Sequence, residues 1–127
     1  MLLAGMIAAL LAAALHVLIF YIESFAWTTR ALSVFGMDRG SAEATREMAF
    51  NQGFYNLFLA IEAIIGVAVY ILTSPVVGLT LALFGTGSML AAALLLLVTS
   101  PDKRSAAIKQ GLFPFVAVAA LTVGTLL

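Results

Sequence analysis

The chain of 127 residues contains no cysteine. Disulfides, thiol redox chemistry and thiolate metal ligation are excluded, although the absence says little about compartment. Charge is nearly as scarce, at 9% of residues, where a soluble domain carries about 25%. Six basic and six acidic residues give a formal net charge of zero, which argues against a nucleic-acid partner. With one histidine in the whole chain, the doubled Glu-x-x-His motif of di-iron bundles cannot be built. What fills the chain instead is hydrocarbon, for 64% of residues are hydrophobic. A water-soluble chain of that composition would expose large apolar patches and aggregate, so the composition points to an integral membrane protein.

Four apolar runs divide the sequence, each close to the roughly 20 residues that span a bilayer as a helix. They predict helices at about 1–27, 41–73, 76–99 and 107–127, within one domain covering 1–127. The runs are continuous rather than alternating, which favours helices over a barrel. Ala12-Ala13-Ala14 could imitate a signal-peptide cleavage site. No Lys or Arg precedes the run, however, and it continues past Ala14 to Ile22, so a retained helix is expected. The fold class is thus all-α integral membrane, a four-helix bundle of up-down topology.

Basic residues orient it. Arg30, Arg39 and Arg46 fall between the first two spans, and Lys103, Arg104 and Lys109 between the third and fourth or at the start of the fourth. In a four-span chain those two connections share a side, and the positive-inside rule makes it cytoplasmic. Both termini and the Thr73-Ser74-Pro75 turn then face out, and Trp27 beside Arg30 suits the cytoplasmic interfacial belt. Phe35 to Gly40 reads as a turn, after which Ser41 is the expected helix cap, with Glu43 in the first turn. Pro114 is expected in the first turn of the last span, where its missing N–H is tolerated. In the third span Gly85, Gly87, Ser88 and Ala92 suggest close packing, with Gly87-x-x-x-Ala91 a small-residue spacing. That span carries no charge and is expected to face lipid or a sister subunit in a homo-oligomer.

Against this background the polar residues inside the spans stand out, because ionisable groups in hydrocarbon persist mainly where they pair, line a cavity or do chemistry. His16 and Glu23 are seven apart on the first span, and Tyr55 and Glu62 are seven apart on the second, so each pair shares a helix face. Levelling Trp27 with Asn51 sets Glu23 beside Tyr55 and Asn56 at a depth of about 6 Å, and His16 beside Glu62 at about 16 Å. Gln110 starts the last span near the level of Asn51 and Gln52. The candidate pocket is therefore His16, Glu23, Asn51, Gln52, Tyr55, Asn56, Glu62 and Gln110, between the first, second and fourth spans. A His16–Glu62 pair could pass protons or act as acid and base. His16, Glu23 and Glu62 are also weak candidates for a metal set. Plainer roles compete: His16 as a satisfied core residue, Glu23 reaching back to the surface, and the amides as glue between helices.

His16, then Glu23-Ser24-Phe25-Ala26-Trp27, then Phe35-Gly36, then Asn51-Gln52-Gly53-Phe54-Tyr55-Asn56-x-Phe58-Leu59-Ala60, with Gln110-Gly111-x-x-Pro114, form a specific string. It resembles a family of small bacterial membrane proteins catalogued as domain of unknown function thirteen hundred and four, over essentially the whole chain. The resemblance implies four membrane helices and a bacterial inner (plasma) membrane, and it supplies no activity, substrate or cofactor. In the family pattern a small residue stands where this chain has Glu62. A shared site would then be His16, Glu23, Asn51, Gln52, Tyr55, Asn56 and Gln110.

Three functions fit these residues. The first is binding or conduction of a small polar solute, proton or metal ion. The second is acid-base chemistry by Glu23 or His16 on a lipophilic substrate, oriented by Tyr55 and Asn56. The third is an accessory subunit whose polar residues only pack. Binding or transport ranks first, because the cluster is polar, sits at a leaflet boundary and lacks a nucleophile arrangement.

Overall fold

A backbone placed in hydrocarbon has no hydrogen-bond partner but itself, and long runs of Leu, Ala, Val and Ile answer by forming helices. The computed structural model describes all of residues 1–127 and contains helices and no strand. In chain order the elements are α1 (Leu2–Phe25), α2 (Arg30–Phe35), α3 (Arg39–Leu72), α4 (Pro75–Thr99), a 3-10 turn (Pro101–Lys103) and α5 (Arg104–Leu126). The four long helices are each long and apolar enough to cross a membrane. α1 packs on α3 and α5, and α4 packs on the same two, so α1 and α4 lie diagonally across a square bundle. α4 is a full wall of that bundle rather than a purely outward-facing span, burying Gly78, Ala82, Gly85, Thr86, Met89 and Ala93. Large side chains such as Leu3, Ile71 and Val98 point outward and are exposed.

The interior is built from small residues. One cluster joins Met6, Ala8, Ala9, Val67, Ala82, Ala117 and Leu121, and a second joins Ala12, Ala13, Ala60, Ala63 and Met89. Small side chains let helix backbones approach, which is how helices associate where burial from water is not the driving force. The approach is closest between α3 and α4. A Cβ added at Gly66 would collide with the Ala82 backbone, and one at Gly78 with the Tyr70 backbone. The small-residue spacing expected at Gly87 and Ala91 is not the packed one, for a Cβ at Gly87 would meet nothing within 4 Å, whereas Gly85 lies against Ala63.

Three local features differ from expectation. Asp38, not Ser41, caps α3: its carboxylate accepts from the Ser41 N–H at 2.8 Å and from the Ser41 hydroxyl at 2.9 Å. These bonds hold the exposed Asp38 carboxyl below its usual range, the backbone N–H being the larger cause. The segment before that turn is not plain loop but the short α2, closed by Gly36 in the left-handed region at φ 64°. Finally, α5 begins at Arg104, so Pro114 lies inside the helix rather than in its first turn. Pro114 has no N–H, so the Gln110 carbonyl loses its normal helical donor. The two-residue connection between α3 and α4 is as the Thr73-Ser74-Pro75 turn requires, with Pro75 opening α4 and Ser74 Oγ accepting from the Val77 N–H at 3.4 Å.

α3 has 34 residues and a length of about 51 Å, against a hydrocarbon core of about 30 Å. Its first turns carry Glu43, Arg46 and Glu47, all exposed.

Candidate functional site

The α1–α3 contact sets the register on which the site depends. Ser24 Oγ donates to the Phe50 carbonyl at 2.9 Å, and a Cβ added at Gly53 would run into the Ser24 side chain. An aromatic ladder on the outer side reinforces the pairing: Phe20 meets Phe54 edge-on at 5.0 Å, and Phe25 meets Phe50 at 6.0 Å. This register brings Glu23 opposite Asn56. Asn56 Nδ2 donates to Glu23 Oε2 at 2.7 Å and to the Gln52 carbonyl at 3.2 Å. Both side chains are buried, 7% and 8% exposed, so the bond is made largely away from the surface.

Above this pair lies a cleft of about 630 Å³, within the size range of small-molecule sites. Glu23, Gln52, Tyr55, Asn56 and Gln110 line it together, which is five of the eight candidate residues. α4 contributes Ala92 and Leu96, so the cleft draws on all four long helices rather than on three. Trp27, Thr45, Asp38, Asp102 and Lys103 complete the polar rim. Trp27 is anchored there by its Nε1, which donates to Thr45 Oγ1 at 3.0 Å, and by the Phe35 ring at 5.5 Å. Sequence reasoning missed Thr45, Asp102 and Lys103, which no motif marks; only the chain's fold returns the α4–α5 connection to this place.

The remaining three candidates go elsewhere. Asn51 is exposed and donates back to the Glu47 carbonyl at 3.0 Å, capping nothing in the cleft. His16 is fully buried, and its Nδ1 bonds the Ala12 carbonyl at 2.9 Å, while Nε2 has no partner. Since a carbonyl only accepts, Nδ1 carries a proton, and in the neutral ring Nε2 is a bare acceptor. The expected His16–Glu62 pair is therefore not formed. The reason is angular: the face of α3 turned inward carries Asn56, Ala60 and Ala63, and Glu62, about 100° round from Ala63, is left half-exposed. Tyr55 shares Glu62's face and is 65% exposed, lining the cleft without bonding Glu23. Nor do His16, Glu23 and Glu62 converge as a set of metal ligands.

A bundle apolar on its outside, sealed at one end and opening into a polar cleft at the other, defines a small four-helix protein suited to a membrane. Its family is specific: a family model described as protein of unknown function (DUF1304) matches residues 10–122, and the chain belongs to that family. No curated protein and no solved structure matches the chain.

Proposed function

We propose that this is a multi-pass protein of the bacterial inner membrane that binds a small cationic or hydrogen-bond-donating solute in its cleft. The charged connections would face the cytoplasm. The observation that carries the reading is the Glu23–Asn56 pair, a buried carboxylate that faces an open cleft and is held by a neutral amide. A carboxylate so placed has acceptor capacity to spare, because each oxygen takes more than one donor. The surroundings agree in sign: two further carboxylates, Asp38 and Asp102, line the cleft against one ammonium, Lys103. Such a surface favours a cation over an anion. Orientation follows from Arg30, Arg39, Arg46, Lys103, Arg104 and Lys109, which the antiparallel helices gather at the cleft end. Passage across the membrane would need a second subunit, because a single four-helix bundle is too thin to enclose a wide pore.

Native mass spectrometry of the protein released gently from its own membranes tests the reading. The expected result is a stoichiometric extra mass that disappears in Glu23→Gln and in Asn56→Ala while the fold is retained. A protein with no extra mass other than phospholipid, or a non-lipid mass indifferent to both substitutions, would overturn it and leave the polar residues a packing role.

A further inference from the structure

A second, narrower groove lies on the other side of Phe35, between α1, α2 and α5, with a volume of about 190 Å³. Its floor is one stripe of α1, Leu15, Leu18, Ile19 and Ile22, at the spacing of a single helix face. Val34 and Phe35 of α2 close its upper end, and Ala106 keeps the α5 wall low. The lip is different in kind. Lys103, Ser105 and Lys109 stand there, so two ammonium groups and a hydroxyl face one carboxylate, Asp102. Asp102 and Lys103 line the larger cleft as well, and Lys109 is the cation that tips the balance here to positive.

From this juxtaposition we infer that the groove is a binding site for an anionic phospholipid, with part of one acyl chain along the α1 stripe and the phosphate at Lys103, Ser105 and Lys109. It rests on the membrane-spanning reading; the groove shares Phe35, Asp102, Lys103 and Gln110 with the larger cleft, while Ser105 and Lys109 belong to the groove alone. Three observations select this occupant. The floor runs into outward-facing side chains, Leu18 at 50% and Val34 at 54% exposed, so it is continuous with the surface that hydrocarbon would cover. The lip lies at the bundle end where every Lys and Arg is gathered, the level of a phosphate headgroup. A soluble anion would leave the apolar floor empty, and a neutral lipid would leave the lysines unmatched. Basic pockets between helices at this level recognise lipid headgroups by the same pairing of charge and depth.

The test uses the full chain in nanodiscs of phosphatidylcholine, with and without phosphatidylglycerol, followed by release and native mass spectrometry. One retained phosphatidylglycerol per chain is expected, in preference to phosphatidylcholine. Lys109→Gln should lower that preference about fivefold. Lys109→Arg should keep it, and Arg39→Gln, which removes the same charge away from the groove, should leave it unchanged. Ala106→Phe fills the groove without altering charge and should also lower retention. Thermal melting of each variant separates loss of lipid from loss of fold. Equal retention of the two lipids, indifference to Lys109→Gln, or an equal effect of Arg39→Gln would overturn the site. So would glycerol phosphate displacing the lipid completely, since that would assign the lysines to a free anion. Failure of the chain to enter nanodiscs at all would instead overturn the membrane-spanning reading.

Discussion

The half of the bundle that carries the termini and the half that carries the charged connections are made from the same four helices, yet they are closed by different means. In the first half glycine brings backbones together: Gly5 lies against Leu121, Gly124 against Leu2, and Gly66 and Gly78 against α4 and α3 in turn. In the second half α3 and α4 present Tyr55, Leu59, Ala92 and Leu96 across open space, while Gly53 still admits α1, Gly111 lies against Ala93, and hydrogen bonds and aromatic edges add to the α1–α3 contact. Backbone contact at one end of a helix pair therefore coexists with a cleft at the other. Between α3 and α4, small residues decide where the pair is shut, and polar residues occupy what stays open.

The strongest way to break the contrast is at the sealed end. Gly78→Leu forces a side chain into the Tyr70 backbone, which cannot yield as a flexible side chain would. It should cost about 3 kcal/mol or more, the upper part of the overpacking range. Gly87→Leu on the same helix meets nothing and should stay within about 0.5 kcal/mol. Melting both in detergent checks the pair, and equal losses would mean that α4 packs by a different face.

At the open end the same measurement should give a smaller number. Asn56→Ala removes the interhelical bond to Glu23 and should cost about 0.6–1.7 kcal/mol, as hydrogen bonds between helices in hydrocarbon do. Its effect on a bound mass should be far larger than its effect on melting. His16 lies between the two halves with an unpartnered Nε2, so His16→Leu should raise stability by about 1 kcal/mol by removing a buried unsatisfied acceptor. A loss instead would reveal a partner for Nε2. The smallest effect belongs to Asp38 outside the bundle. Its carboxyl is held low by Ser41, so its contribution is complete above the ordinary carboxylate range and disappears as pH falls below it. The protection factor of the Ser41 amide, taken against its intrinsic exchange rate at each pH, should fall in acid in the native chain. The fall in protection should be absent in Asp38→Asn, which can still accept from the Ser41 N–H.

Composition and hydropathy made the four long apolar helices legible, since helices suited to a membrane are marked by length and apolarity alone. The Glu23–Asn56 meeting was legible too, because a fixed rise per residue turns an assumed level into a depth. What depth cannot supply is angle. His16 and Glu62 were placed at one depth, but nothing in the sequence says which face of α3 turns inward; Ala60 and Ala63 take that face, and their small size is what admits the neighbouring helix. The rim residues were illegible for a plainer reason. Thr45, Asp102 and Lys103 come from separate segments and form no spaced motif before the chain folds.

Trp27 is the only tryptophan in the chain, and it lines the cleft with its indole N–H on Thr45. The protein thus carries an intrinsic fluorophore at the mouth of its own candidate site. Emission wavelength and quenching by soluble iodide or by brominated lipid would report that one position without any label, distinguishing a wet rim from one covered by hydrocarbon. A guest entering beside Glu23 would register as a change in the light of a single residue.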